Sequence, residues 1–228
     1  MNAAEECVFG HKTHDRIQMG LWTGYAWSTY LDQPAGWCQG RCDISRTLDL
    51  YGVWEWADTK RFMKALRERP CDGEQVIDLG ANIGWYTVWA ALCGFEVLAV
   101  EGIDETTAIM WANTVAFGVS GLVHPRCAWI DGETPQVTEL QPVRLMKIDI
   151  EGLEPEAVRV YAPLFEQRLV EHAVIEVSPV FKEYTDSTTA MVRQLLEWGY
   201  RADVGGVPFD ADSLRRIDQA NVWFRRKR

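Results

Sequence analysis

The sequence predicts an α/β protein whose mostly parallel sheet is covered by helices on both faces. Three observations carry that prediction. From Glu74 onward, strand-like apolar runs alternate with helical segments. A glycine-bearing turn, within V-I-D-L-G-A-N-I-G-W-Y-T at residues 76–87, joins the first of these strands to the helix after it. Four of the strands end in a carboxylate, namely Asp78, Glu101, Asp149 with Glu151, and Glu176. Ligands of open parallel sheets bind outside the carboxyl ends of the strands, so these acids are expected to face one crevice.

The elements follow in order. Residues 57–68 read as a helix that ends before the Pro70-Cys71-Asp72-Gly73 turn. Residues 75–77 are a strand, 85–93 a helix, 96–100 a strand and 105–117 a helix. Residues 123–130 and 143–150 are two further strands, and Pro155 at a first-turn position opens a helix over 155–165. Residues 172–177 are the fifth strand, and the helix over 188–198 stops at Gly199. Residues 200–204 and 221–226 are expected to close the sheet as an antiparallel pair, giving seven strands.

The chain of 228 residues suits one larger single-core domain, residues 71–228, with an N-terminal extension over 1–70. In that extension Trp22, Tyr25, Trp27, Tyr30, Trp37, Tyr51, Trp54 and Trp56 crowd together, too apolar for a linker. It reads as loops and short strands packed on the larger domain, either as core or as a lid whose flat rings stack on a planar ligand. At 47% hydrophobic and 25% charged residues, the composition is that of an ordinary globular chain and suggests neither disorder nor a fibrous repeat.

The formal charge of −10 argues against nucleic acid and against anionic membrane surfaces, because phosphate contacts need clustered Lys and Arg. The basic run Arg225, Arg226, Lys227 and Arg228 reads as a solvated tail. No stretch approaches the roughly 18 apolar residues of a membrane helix. The N-terminus lacks the apolar centre of a secretory signal, so a cytoplasmic location is expected, in which the six scattered cysteines stay thiols. Cys38 and Cys42, with Cys7, His11 and His14 upstream, are the one zinc-like pattern; their spacing is not that of a structural zinc site, and isolated thiols are the preferred reading.

Gly80, Asn82 and Gly84 suit a tight, partly left-handed loop against which a ligand can lie. Asp78 decides the type of ligand. A dinucleotide-binding G-x-G-x-x-G loop sets diphosphate on a helix N-terminus and has no use for a carboxylate there, whereas a ligand with a cationic amine does. Glu101, 23 residues after Asp78, stands where a carboxylate accepts hydrogen bonds from a ribose diol. Nicotinamide-binding folds share that acid, but Asp78 and the absence of G-x-G-x-x-G favour S-adenosylmethionine. A second stretch, Lys147-Ile148-Asp149-Ile150-Glu151-Gly152, alternates charged and apolar side chains in a strand that should be buried. Burying three ions is costly unless they pair or meet a ligand, so a site is favoured over a purely structural role.

Together these motifs make the chain resemble the FkbM-type S-adenosylmethionine-dependent methyltransferases, a class I, Rossmann-like family with a seven-stranded sheet. The matching elements are the V-I-D-x-G-A-N-I-G loop, Glu101, K-I-D-I-E-G at residues 147–152 and I-E-V at residues 175–177, with a weaker match at Gly52-x-Trp54-Glu55. The short connection between Glu101 and Lys147 and the tryptophan-rich front end depart from the family pattern. The resemblance implies that Asp78, Gly80, Asn82, Gly84 and Glu101 bind S-adenosylmethionine, with Glu55 beside its methionine part and Ala128 near its adenine. It implies O-methylation of a sugar, glycan or secondary metabolite. Asp149 is the first choice to orient or deprotonate the acceptor hydroxyl, Glu151 the second, and His124 or His172 the remaining candidates. Lys147 neutralises the cluster. Asp149 and Glu151 would suit a bridging Mg²⁺, though nothing in the sequence specifies a metal. Two other readings stay open: ribose methylation of a nucleic acid through Lys147, Asp149, Lys182 and Glu176, against which the acidic balance counts, and a cofactor-binding interaction module without turnover.

Overall fold

The computed structural model describes residues 51–178 and 182–227 together with Ile44, Thr47 and Leu48. Most of the aromatic-rich extension, and the set Cys7, His11, His14, Cys38 and Cys42, lie outside the described residues. Helix α1 (Trp56–Leu66) leads into β1 (Gln75–Leu79), α2 (Trp85–Leu92), β2 (Glu96–Glu101), α3 (Asp104–Ala116) and β3 (Val123–Cys127). There follow β4 (Val143–Ile148), α4 (Glu154–Val160), α5 (Ala162–Glu166), β5 (Val170–Val177) and α6 (Lys182–Glu197). Strands β6 (Tyr200–Val204), β7 (Val207–Phe209) and β8 (Ala220–Arg226) complete one sheet in the order β3-β2-β1-β4-β5-β8-β6-β7.

The first five strands run parallel, and β8 lies antiparallel between β5 and β6. The sheet thus has eight strands rather than the expected seven. The additional strand arises at Gly205 and Gly206, whose positive φ angles of 59° and 87° turn Val207–Phe209 back onto β6. The expected pairing of β6 with β8 is present, with β7 and a 3₁₀ turn (Ala211–Arg216) between them in the chain. The helix expected over 155–165 is two short helices, since Pro163 has no N–H to donate across the break at Tyr161. The strand expected to reach Ile130 ends at Cys127.

Alternating side chains feed two apolar layers. Ile77, Leu79, Met146, Ile148 and Ile175 face α4, α5 and α6, whereas Val76, Val97, Ala99, Leu145 and Val174 face α1, α2 and α3. By the same period Asp78 and Lys147, neighbours in the register of β1 and β4, fall on the second face, beneath α2. From β1 the chain steps outward through β2 and β3, then returns to place β4 on the other side of β1. The carboxyl ends of β1 and β4 therefore flank the topological switch point, where open α/β sheets bind ligands.

At the opposite, amino end of the sheet, Arg144 is wholly buried. It donates to the carbonyls of Leu66 at 3.0 Å, Arg69 at 3.1 Å and Pro70 at 3.0 Å, and to Glu74 Oε1 at 3.2 Å. This single side chain ties the end of α1 and the turn after it to the start of β4. Arg69 bridges Glu74 and Glu171, and Arg225 holds Glu68 at 2.7 Å. The basic run at the C-terminus is therefore not simply a solvated tail: Arg225 and Arg226 belong to β8, and Arg225 is ion-paired. The reason is tertiary, because β8 runs between β5 and β6 and its end passes Glu68.

Candidate active site

A cavity of about 590 Å³ opens at the switch point, within the range of small-molecule sites. The loop after β1 supplies Gly80, Ala81 and Asn82; the end of β2 supplies Glu101; the segment after β3 supplies Ala128 and Trp129. Lys147, Asp149 and Glu151 enter from β4 and the loop behind it, Glu176 from the end of β5, and Glu55 from the residue preceding α1. Of the nine sequence-derived site residues, seven line this cavity, whereas Asp78 and Gly84 do not.

Asp78 is 1% exposed and lies under the loop. Thr87 Oγ1 donates to its Oδ2 at 2.6 Å, and its Oδ1 has no hydrogen-bond partner among the described residues. Burial pushes its carboxyl up from the ordinary range, against the pull of Lys147 and Thr87. The expectation that all the strand-end acids face one crevice therefore needs correction at Asp78. Its position as the fourth residue of a five-residue strand keeps it inside, on the α2 face.

The glycines are required by the protein itself. A Cβ at Gly80 would lie 1.7 Å from the carbonyl oxygen of Asp149, and one at Gly84 would lie 2.8 Å from Met110 Cγ. Gly80 thus lets the β1 loop pass directly against the β4 loop, which brings both motifs to one cavity. Asn82 between them also has a positive φ, 50°. Glu101 fixes this loop from the neighbouring strand: its Oε2 accepts from Asn82 N at 2.9 Å and its Oε1 from Ile103 N at 3.0 Å. Each oxygen keeps lone-pair capacity for a further donor. Ala128 leaves β3 with its N–H on the Glu101 carbonyl at 2.9 Å, and the Trp129 indole lies over Gly102, where a Cβ would come within 2.9 Å of the ring.

On the far wall, Lys147 Nζ sits 2.6 Å from Asp149 Oδ2 and 5.0 Å from the centre of the Tyr86 ring. Burial opposes the Lys147 charge, but Asp149 and Asp78 outweigh it and hold the ammonium's pKa above its ordinary value. The Tyr86 hydroxyl donates to Glu55 Oε2 at 2.7 Å, and Asn221 Nδ2 reaches Glu55 Oε1 at 3.3 Å. Glu176 accepts from Gln219 Nε2 at 2.6 Å. Burial, with Asp149 and Glu151 close by, pushes the Glu176 carboxyl up to about 7; burial and Asp149 likewise raise Glu151. Of the four non-glycine residues with positive φ among the described residues, three line the cavity: Glu55 at 41°, Asn82 at 50° and Glu151 at 56°. Backbone in that region is costly for such residues and concentrates where a side chain must be aimed.

His124 is exposed on β3 beside Glu96, and His172 is buried near Glu68; neither lines the cavity, so neither stands close to the proposed chemistry. His172 does belong, with Glu68 and Glu171, to a trio compact enough to hold a metal ion. Arg69, Arg144 and Arg225 already match the charge of that trio, which makes it part of the structural network at the amino end. Tyr86 and Trp129 were not singled out from the sequence as site residues, whereas Glu176, expected among the strand-end acids of the crevice, does line the cavity. Tyr86 had a local signal, standing two positions after Gly84, but its contact with Glu55 spans 31 residues.

No protein-family model matches this chain, and no curated protein matches it. Solved structures do. A SAM-dependent O-methyltransferase from Thermotoga maritima superposes with a TM-score of 0.51 at 15% identity, over 77% of this chain and 67% of its own. A putative rRNA methylase from Clostridium thermocellum gives 0.54 at 10% identity, over 73% and 94% of the two chains. A precorrin-6y C5,15-methyltransferase from Geobacter metallireducens gives 0.51 at 12% identity, over 77% and 90%. With the parallel sheet and its switch-point cavity, these superpositions show that the chain has the α/β, Rossmann-like fold of the class I methyltransferases.

Proposed function

We propose that this chain is an S-adenosylmethionine-dependent O-methyltransferase of the FkbM type, acting on a hydroxyl of a sugar, glycan or secondary metabolite. The observation that carries the reading is Glu101, held by the amides of Asn82 and Ile103 at the rim of the switch-point cavity. A carboxylate fixed there with spare lone pairs fits a ribose diol. The remaining donors fit the rest of the cofactor. Ala128 and Trp129 offer a flat, partly apolar wall for adenine, and the Glu55 carboxylate offers a partner for a methionine ammonium. Asp78 supports the loop from beneath, through Thr87 and its neighbour Lys147, without touching the ligand.

When bound, S-adenosylmethionine supplies an electrophilic methyl group for in-line displacement. The protein's contribution is alignment of the acceptor oxygen. Lys147 fixes Asp149, which orients the acceptor hydroxyl and takes its proton as the methyl group is transferred. The acid-rich lining counts against a nucleic-acid acceptor, whose phosphates it would repel.

Calorimetric titration with S-adenosylhomocysteine tests the cofactor reading. The parent chain is expected to bind, and Glu101→Ala to lose roughly 100-fold or more in affinity, as expected when a charged, hydrogen-bonded partner is removed. Equal binding by parent and variant, or none by the parent, would overturn it. A screen with labelled methyl donor over sugar and metabolite pools then identifies the acceptor.

A further inference from the structure

We infer that the acceptor carries a protonated amine near the hydroxyl to be methylated, as amino sugars and aminocyclitols do, and that Glu176 and Glu151 receive that ammonium. The inference rests on the methyltransferase reading above and names the acceptor class of the same site. Five acids line the cavity, Glu55, Glu101, Asp149, Glu151 and Glu176, against one cation among the described residues, Lys147. The proposed cofactor brings a net single positive charge, so the acids still outnumber the cations when it is bound.

The distribution of that charge points to the acceptor side. Glu55 is engaged by Tyr86 and Asn221, Glu101 by two amides, and Asp149 by Lys147. Glu176 has one neutral donor, Gln219, and Glu151 is exposed at the rim. Glu176 is faced by Asp149 and Glu151 from the β4 loop, by Lys147 from β4 and by Gln219 from the segment before β8. With no free cation among these groups, its carboxyl holds a proton to about pH 7. An ammonium placed there would discharge the repulsion. A neutral sugar would not relieve the repulsion, and an anionic one would increase it.

The test uses the full chain saturated with S-adenosylhomocysteine at about pH 6, below the Glu176 transition. Three probes of one shape are titrated calorimetrically: methyl glucosaminide, methyl glucoside and methyl glucuronide. The amine is expected to bind at least about tenfold more tightly than the neutral glycoside, and the glucuronide most weakly. Affinity for the amine should fall with added salt, and its binding should release a proton, read from titrations in buffers of different ionisation enthalpy. Glu176→Gln combined with Glu151→Gln should abolish both the preference and the proton release while retaining S-adenosylhomocysteine binding. Equal or weaker binding of the amine, or binding without proton release, overturns the inference alone. Failure of the parent chain to bind S-adenosylhomocysteine overturns the methyltransferase reading and this inference with it.

Discussion

At the amino end of the sheet Glu68, Glu74 and Glu171 stand against Arg69, Arg144 and Arg225. At the carboxyl end five acids stand against Lys147. Two carboxylates show what the difference does. Burial works against the Glu74 charge, yet the Asp72 amide, Arg144 and Arg69 together bring its carboxyl down to about 2. Burial works on Glu176 in the same sense, but its charged neighbours are mainly acids, and its carboxyl rises to about 7. One end spends its charges on cohesion, and the other keeps an excess directed into a cavity. Cohesion is thereby concentrated at one end of the strands and, on the proposed function, ligand recognition at the other.

Breaking the amino end should have the largest effect on stability. Arg144→Ala leaves Glu74 with less compensation and removes three bonds to backbone carbonyls. A loss of about 3–5 kcal/mol is expected in urea denaturation, the scale for breaking a buried ion pair from one side. A loss under about 1 kcal/mol would mean that the network is not holding α1 to β4.

At the other end the expected cost falls on turnover. Asp149→Asn should lower the methyl-transfer rate by about 10² or more while leaving S-adenosylhomocysteine affinity close to the parent's. Parent-like turnover would remove Asp149 from the chemistry and shift attention to Glu151.

The two carboxylates should respond to pH with opposite sign. Glu74 has a folded pKa below its unfolded value, so its stabilisation is present above about 4.5 and is lost as pH falls toward about 2. Glu176 has a folded pKa above its unfolded value, so its contribution is full below about 4.5 and is lost as pH rises through about 7. Thermal melts should therefore show Glu74→Gln less stable than the parent at neutral pH, and Glu176→Gln more stable than the parent above pH 7. The same sign for both variants across that range would dissolve the contrast.

The smallest stability change is expected at Trp129, whose side chain is 66% exposed over Gly102. Trp129→Ala should shift unfolding by no more than about 0.5 kcal/mol, as for an exposed position. If the ring is an adenine wall, S-adenosylhomocysteine affinity drops nonetheless. Unchanged affinity would assign the adenine elsewhere in the cavity.

The sequence by itself determined the alternation of strands and helices, the parallel core of the sheet and the two motifs that meet at its carboxyl end. These are properties of local pattern: apolar runs with period two, helical periodicity, and turn residues at the junctions. Gly80 and Asp149 were legible as members of one site because each directly follows a strand within its own motif. Only the tertiary structure decided which acids reach the cavity. Asp78 and Glu101 look alike in sequence, both closing apolar strands, yet Asp78 is a residue short of its strand's end and points under α2, whereas Glu101 is the last residue of its strand and reaches the rim. The eighth strand and the break at Tyr161 have local causes in Gly205-Gly206 and Pro163, whereas the pairing of Arg225 with Glu68 depends on a contact between distant segments. So does the contrast between Glu74 and Glu176. Charge balance around a carboxylate is a sum over whatever the fold brings within a few ångströms, and that sum has no counterpart in the local sequence.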